Sequence, residues 1–418
     1  MDIVSDCQVF RDLFTYRGYL WFSLLVRCSC LWQSRHSIWR YVTWAGGSPW
    51  AAYAWLRSSK WKPEALYSRL FTWLAPRWGT RVAGHLLLAL DDTHTPKPYA
   101  RKMRDLGWLF EEAVRVTDPE GKTRWGLWGQ LGHCWVTLAL LWRQAPGIWQ
   151  AFPVALGAYV RKKTLAKQGQ EAQFQTLYQV AKQLLQRLPE AVLVVADSFY
   201  RGHELIAGTA HHLLSRLTKA AVVYEVPVPP ARRQRGRPTE YGPAHKLKEW
   251  AATLLYTTVE VMAYHKLERI AWATCLVRLK GFGKRDLRLV VIRSLDRPEL
   301  PPLFLFTTLV ELTALEVFEC YTARFGIELA FRQLKTDMGL GQYHVRSQAS
   351  IRHWVALVVV AYALLKVRMI EQQLPSMEAA KRHYYSQELR SQFLPLALLP
   401  NLRQKILAAL DHLDRLIA

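Results

Sequence analysis

The sequence predicts an α/β chain: a core of strands and helices, interrupted by a β-rich insertion, between two helical ends. Three observations carry this reading. Two continuous apolar runs, 85–90 and 191–196, each end in an aspartate, Asp91 and Asp197, as strands buried in a sheet do. The segment 321–335 has apolar residues at helical spacing on one side and polar residues on the other. Between them, 227–300 opens with the Pro- and Arg-rich connector PVPPARRQRGRPTEYG and continues with runs rich in Thr, Val and Ile.

Residues 1–80 read as helices. Ser48-Pro49 is a helix start signal, and a break near 58–63 leads into a second apolar-periodic run. Two short helices around a turn suit a DNA-binding unit, and they suit any small bundle equally. Residues 81–226 form the first part of the core. It holds the 85–90 strand, strand-like segments at 124–131 and 134–143, and a basic helix rich in Lys and Gln over roughly 165–188. The 191–196 strand, a helix over 202–217 and a strand over 219–226 complete it. The insertion, 227–300, has strand-like runs at 252–260, 268–279 and 287–294. The second part of the core, 301–370, contains an apolar strand at 302–307, the helix bearing Glu328, and a buried helix at 354–365. Residues 371–418 read as amphipathic helices.

A chain of 418 residues can bury a large core, in two or three structural units. Its 56 Lys and Arg against 33 Asp and Glu give a net charge of +23, spread along the whole length. Such a surface attracts a polyanion, either nucleic acid or an anionic membrane. No membrane partner is expected: the longest uncharged apolar run, 354–365, falls short of the roughly 20 residues a spanning helix needs. The early run GYLWFSLLV stops at Arg27, and Asp2 and Asp6 oppose a signal-peptide start. The six cysteines show no C-x-x-C pair and read as reduced thiols of a cytoplasmic protein without a structural zinc. Most of the 18 tryptophans read as core anchors.

The chemistry concentrates in Tyr321, Arg324, Glu328 and Lys335, spaced Tyr-x2-Arg-x3-Glu-x6-Lys. On a continuous helix they point at roughly 0°, 300°, 340° and 320°, one arc of about 60°. Ile327, Ala330, Phe331 and Leu334 fall on an adjoining arc, so the helix can bury that side and present the charged stripe. A solvated face with an Arg324–Glu328 pair at i,i+4 fits the same spacing. The rest of the chain argues otherwise. If the two strands are neighbours, Asp91 and Asp197 meet at a sheet edge where the helix can add Glu328. Three converging carboxylates repel one another and require a cation. Hard oxygen donors favour Mg²⁺, with Mn²⁺ as a substitute. Two such ions can drive an in-line phosphoryl displacement.

With these residues in place, the chain resembles bacterial insertion-sequence transposases of the cut-and-paste, DDE class. The likeness rests on YTARFGIELAFRQLK, 321–335, and on the phrases LLALDDT, VVADSFYRG and KTDMGLGQYHVRS, and it covers roughly 85–370. The resemblance implies a ribonuclease H-like core with a β insertion between the second and third acids. It also implies metal binding by Asp91, Asp197 and Glu328, and phosphate contacts from Tyr321, Arg324 and Lys335 to the element end. Activity on double-stranded DNA ends and target follows, in a homodimer assembled on DNA, in the cytoplasm with the nucleoid. Either Asp91 or Asp92 can supply the first ligand, because neighbours on a strand point to opposite faces. Family members similarly place the acid two residues before Thr, which selects Asp91. Two other readings share the residues: a non-catalytic DNA-binding relative, and a metal-dependent nuclease without strand transfer.

Arg235-Gly-Arg237-Pro238 resembles a minor-groove hook, and a flexible basic connector would have the same composition. Lys97 reads as a solvated loop lysine. His94, His203, His344 and His353 have no metal-ligand spacing and read as surface or core residues. Trp272 reads as a packed strand tryptophan.

Overall fold

The computed structural model describes residues 3–117, 123–228 and 239–393. Five helices come first: α1 (Ile3–Cys7), α2 (Tyr16–Leu31), α3 (Ile38–Trp44), α4 (Pro49–Ser58) and α5 (Pro63–Trp78). Pro49 and Pro63 sit in the first turns of their helices, where a missing N–H costs nothing. The first half of the sheet follows: β1 (Arg81–Val82), β2 (His85–Pro96), β3 (Gly107–Thr117), β4 (Thr123–Ala145) and β5 (Ile148–Tyr159). Helices α6 (Lys162–Lys167) and α7 (Leu177–Gln186) then lead to β6 (Val192–Ala196), β7 (His212–Arg216), β8 (Val222–Glu225) and β9 (Ala244–Lys246). After the short α8 (Leu247–Trp250) come β10 (Thr257–Ala263), β11 (Lys266–Arg278), β12 (Leu287–Ser294) and β13 (Leu303–Thr307). The chain continues through α9 (Ala314–Ala323), α10 (Phe325–Thr336), α11 (Gln348–Glu371) and α12 (Met377–Phe393).

Within the described residues all the strands join one sheet, whose centre runs β5-β4-β2-β6-β7. Strand β4 is antiparallel to both β2 and β5, whereas β6 and β7 run parallel to β2. This mixed α/β arrangement is consistent with the ribonuclease H-like core that the resemblance implies. The 227–300 segment extends that same sheet: β12 pairs with β13, itself paired with β7, and β11 follows outward, flanked by β10 and β8. Residues 229–238 of the connector, including Arg235 and Arg237, lie outside the described residues, as do 394–418.

The N-terminal helices do not stand apart. α2, α4 and α5 pack around α11, with α12 and β5 closing the rest of it. Among the described residues α11 is the one helix long and apolar enough to cross a membrane, and its apolar stretch is 94% buried within the protein. Inside this packing Arg368 is held by Asp6 at 2.5 and 2.8 Å, which ties α1 to α11. The ring nitrogens of His353 lie 2.7 and 3.1 Å from the carbonyl oxygens of Leu56 and Trp61, which accept from the protonated nitrogen, and the ring stacks on Trp61, a core histidine as expected.

Several local expectations change. The helix expected over 165–188 is split into α6, a 3-10 turn at Glu171–Gln173, and α7. Gly169, at φ +68°, ends the first piece, and a Thr176–Gln179 capping box starts the second. The helix expected over 202–217 is a 3-10 turn at His203–Leu205 followed by β7. Gly208, at φ +75°, breaks it, and pairing with β6 and β13 buries Leu213, Leu214 and Ser215. The 124–131 and 134–143 segments are one strand, and β3 and β5 had no counterpart in the sequence reading. The first run of the 227–300 segment begins only at Thr257.

Candidate active site

β2 continues through Asp91 and Asp92 to Pro96, so both aspartates lie within a strand rather than after it. The parallel register Leu90↔Ala196 makes Asp91 and Asp197 the next residues on adjacent strands. Asp197 leaves β6 into a tight turn, where its Oδ1 accepts from the N–H groups of Phe199 (3.0 Å) and Tyr200 (3.3 Å). Its backbone carbonyl accepts from Ser215 Oγ at 2.7 Å. The turn fixes this carboxylate before any ligand arrives.

Glu328 reaches the same place from α10, through Arg324. Arg324 Nη1 donates to Asp91 Oδ2 at 2.8 Å and Nη2 donates to Glu328 Oε1 at 2.9 Å. The solvated i,i+4 pair therefore exists, yet it is one arm of a bridge whose guanidinium is only 17% exposed. Asp91, Asp92, Glu328, Arg332 and Lys335 line one open groove.

The continuous charged stripe does not form as expected. The helix breaks at Arg324, where Arg324 N bonds Tyr321 O and Ile327 N bonds Arg324 O, both spanning three residues. Tyr321 is buried, at 9% exposure, because α9 packs over the sheet and the β10–β11 hairpin comes close above it. Tyr264, at the tip of that hairpin, meets the ring of Phe325 edge-on at 5.9 Å. Lys335 stays exposed, in the groove with Glu328.

Burial pushes the Asp91 carboxyl up to about 7. Arg324 and the Asp92 N–H oppose that rise, while the charges of Asp197 and Asp92 add to it. Asp92 is raised as well, again chiefly by burial, with His94 opposing and Asp197 adding. Two acids with raised carboxyls next to a third have the donor chemistry of a hard divalent cation site, and Arg324 bridges one of them, Asp91, to Glu328. Asp91, Asp197 and Glu328 thus fit Mg²⁺ or Mn²⁺ by donor type.

Asp92 faces another set of groups. Its carboxylate lies 3.7 Å from His94 Nε2, 3.9 Å from Cys134 Sγ and 3.5 Å from the Tyr200 hydroxyl, which donates to it. Asp92, His94 and Cys134 present ligand atoms within 4.8 Å of one another, a mixed oxygen, nitrogen and sulfur set. Sequence reasoning missed this cluster, since Cys134 comes from β4 and its cross-strand pairing with His94 leaves no spacing to read.

Lys97 also departs from expectation. It is 8% exposed, donates to the carbonyls of Gly341 (2.5 Å) and Tyr343 (2.6 Å), and lies over the Tyr343 ring. Trp272 is packed in β11 as expected. His203 meets Phe282, and His344 bonds Arg35 at 2.8 Å.

Comparison with curated proteins found no match. A family of proteins described as DDE superfamily endonucleases matches residues 14–279. That span starts well before the expected 85, takes in α2 to α5, and ends ahead of Glu328. It covers more than half of the chain and both aspartate-bearing strands. The chain belongs to the DDE superfamily of endonucleases.

Proposed function

We propose that this protein is a metal-dependent DNA transposase that cleaves the ends of its element and joins the 3′-hydroxyls to target DNA. The observation that carries the reading is the convergence of Asp91, level with Asp197 in a parallel pair, and Glu328, bridged to Asp91 by Arg324. Asp91, Asp197 and Glu328 hold the metals, and Mg²⁺ bound there would activate water or a 3′-hydroxyl and stabilise the leaving oxygen. Asp91 is preferred to Asp92 as first ligand because it shares Arg324 with Glu328, whereas Asp92 is engaged with His94, Cys134 and Tyr200.

The protein's own groups do the positioning. The Asp197 turn presents one carboxylate already oriented. With Asp91 committed to a cation, Arg324 would give up that partner and its guanidinium would hold a phosphate oxygen of the DNA end. Lys335 offers a second phosphate contact from the rim, and Tyr321 supports Arg324 from below, its ring 6.0 Å from the guanidinium. Arg235 and Arg237 add contacts to the DNA backbone. The active form is a dimer assembled on DNA in the bacterial cytoplasm.

Asp197→Ala and Glu328→Gln test the reading. Each should abolish cleavage of labelled end DNA in Mg²⁺ or Mn²⁺ while gel-shift binding survives, because one ligand is lost and the basic surface is kept. Cutting at the wild-type rate in either variant sinks the assignment. Cleavage without joined product would leave a nuclease.

A further inference from the structure

A basic cleft lies beyond the acids along the same strand. One wall is the segment that follows β2, with Lys97, Arg101 and Lys102; the other is the α10–α11 connection, with His344 and Arg346; Arg35 closes one side. Among the described residues no carboxylate lines it. Among the described residues, none of Arg101, Lys102 and Arg346 pairs with an acidic side chain, in a protein where many other surface arginines do. Arg35, Arg101, Lys102 and Arg346 are all exposed, and Tyr99 stands on the rim at 96% exposure. The wall is rigid, because buried Lys97 clamps the two segments through the Gly341 and Tyr343 carbonyls.

We infer that this cleft docks the phosphate backbone of duplex DNA flanking the scissile phosphate; the inference rests on the function proposed above. Three features select DNA as the occupant. The cations are unneutralised and have no acid to separate them. The Arg35 charge is felt inside the cleft: burial holds Lys97 down to about 8 with Arg35 adding to the effect, and burial first, then Lys97 and Arg35, disfavours a proton on His344. The cleft also follows on from the groove that holds Asp91 and Glu328: β2 lines the groove at 91–94 and reaches the cleft at Pro96, while α10 lines the groove and the connection that follows it lines the cleft. At about 3.3 Å per residue, the run from Asp92 to Lys97 covers roughly 17 Å, about five base-pair steps of a duplex leaving the acids. The cleft contacts therefore set register and affinity and carry no base preference.

The test is binding of a fluorescein-labelled DNA duplex in EDTA, followed by anisotropy across a salt series, for the full chain and two triple variants. Arg35→Ala/Arg101→Ala/Lys102→Ala removes three cleft cations. Lys60→Ala/Lys248→Ala/Lys266→Ala removes the same charge from exposed positions elsewhere. Losing three phosphate contacts should flatten the log–log salt slope by about 2.7, so that raising salt from about 50 to 200 mM costs the cleft variant roughly 40-fold less affinity than wild type. The second variant should keep a slope within about one of wild type. Equal slopes in the cleft variant and wild type, or equal losses in both variants, overturn the cleft while leaving the transposase reading intact. A wild-type protein that cleaves no end DNA overturns that reading instead, and duplex binding by the cleft is then still scored on the slopes. A cleft that binds a poly-glutamate peptide and no duplex also overturns the inference.

Discussion

Replacing Asp91 with Asn should make the protein more stable and inactive, with a stability gap that depends on pH. Burial raises the Asp91 carboxyl from its ordinary 3.8 to about 7. The native state therefore keeps a proton that the unfolded chain has already lost between those values, and wild-type stability falls as pH rises through that window. Asparagine cannot ionise and escapes the loss. The full difference corresponds to roughly 4 kcal/mol, of which about 2–3 kcal/mol develops between pH 5 and pH 8. Arg324 keeps Glu328 as a partner in the variant, so its charge is not stranded. Urea denaturation at pH 5 and pH 8 in EDTA measures the gap. Added Mg²⁺ should then stabilise wild type at pH 8 and leave the variant unmoved, since binding to the native state alone adds stability. Parallel stability curves for the two proteins, or a variant weaker than wild type at pH 8, would refute the account of Asp91 as a buried carboxylate waiting for a cation.

Arg324→Ala removes both arms of the bridge, so single-turnover cleavage on a pre-bound end should fall by about 10²-fold while affinity changes little. Lys335→Ala should cost about tenfold, roughly 1.4 kcal/mol, and Tyr321→Phe less, since the buried ring stays in place. Near-normal rates for both cation variants would make the 321–335 segment structural. Lys97→Ala leaves the Gly341 and Tyr343 carbonyls without a donor, and chemical denaturation should show a loss of about 1–3 kcal/mol. Gly132→Ala puts a Cβ 2.4 Å from Leu109 Cδ1 and 2.6 Å from the Thr95 carbonyl. Its stability should drop by about 1–3 kcal/mol, read as a lower denaturation midpoint at unchanged slope, and wild-type stability would contradict the close approach of β4 to β2.

The sequence by itself determined what local chemistry fixes. Apolar runs at 85–90 and 191–196 are strands because nothing in them can satisfy water, and both lead directly into the aspartates of the site. The β-rich character of 257–294, the helix starts at Pro49 and Pro63, and the buried helix 354–365 were legible for the same reason: each is decided within a few residues. Only the tertiary structure decided the rest. Whether Asp91 or Asp92 faces Glu328 depends on which sheet face α10 covers, and a strand pattern with acids on both faces does not encode that. Arg324 changes from a solvated stripe residue to a bridge because the helix breaks there and Asp91 comes up beneath it, 233 positions away in sequence. Residues 212–216, the end of the expected 202–217 helix, are a strand because β6 and β13 hold them on both sides, overriding a helical pattern. Lys97 is buried, and Cys134 joins Asp92 and His94, through partners on other strands and loops. Long-range pairing places these side chains, and its energy comes from surfaces that meet only after the chain has folded.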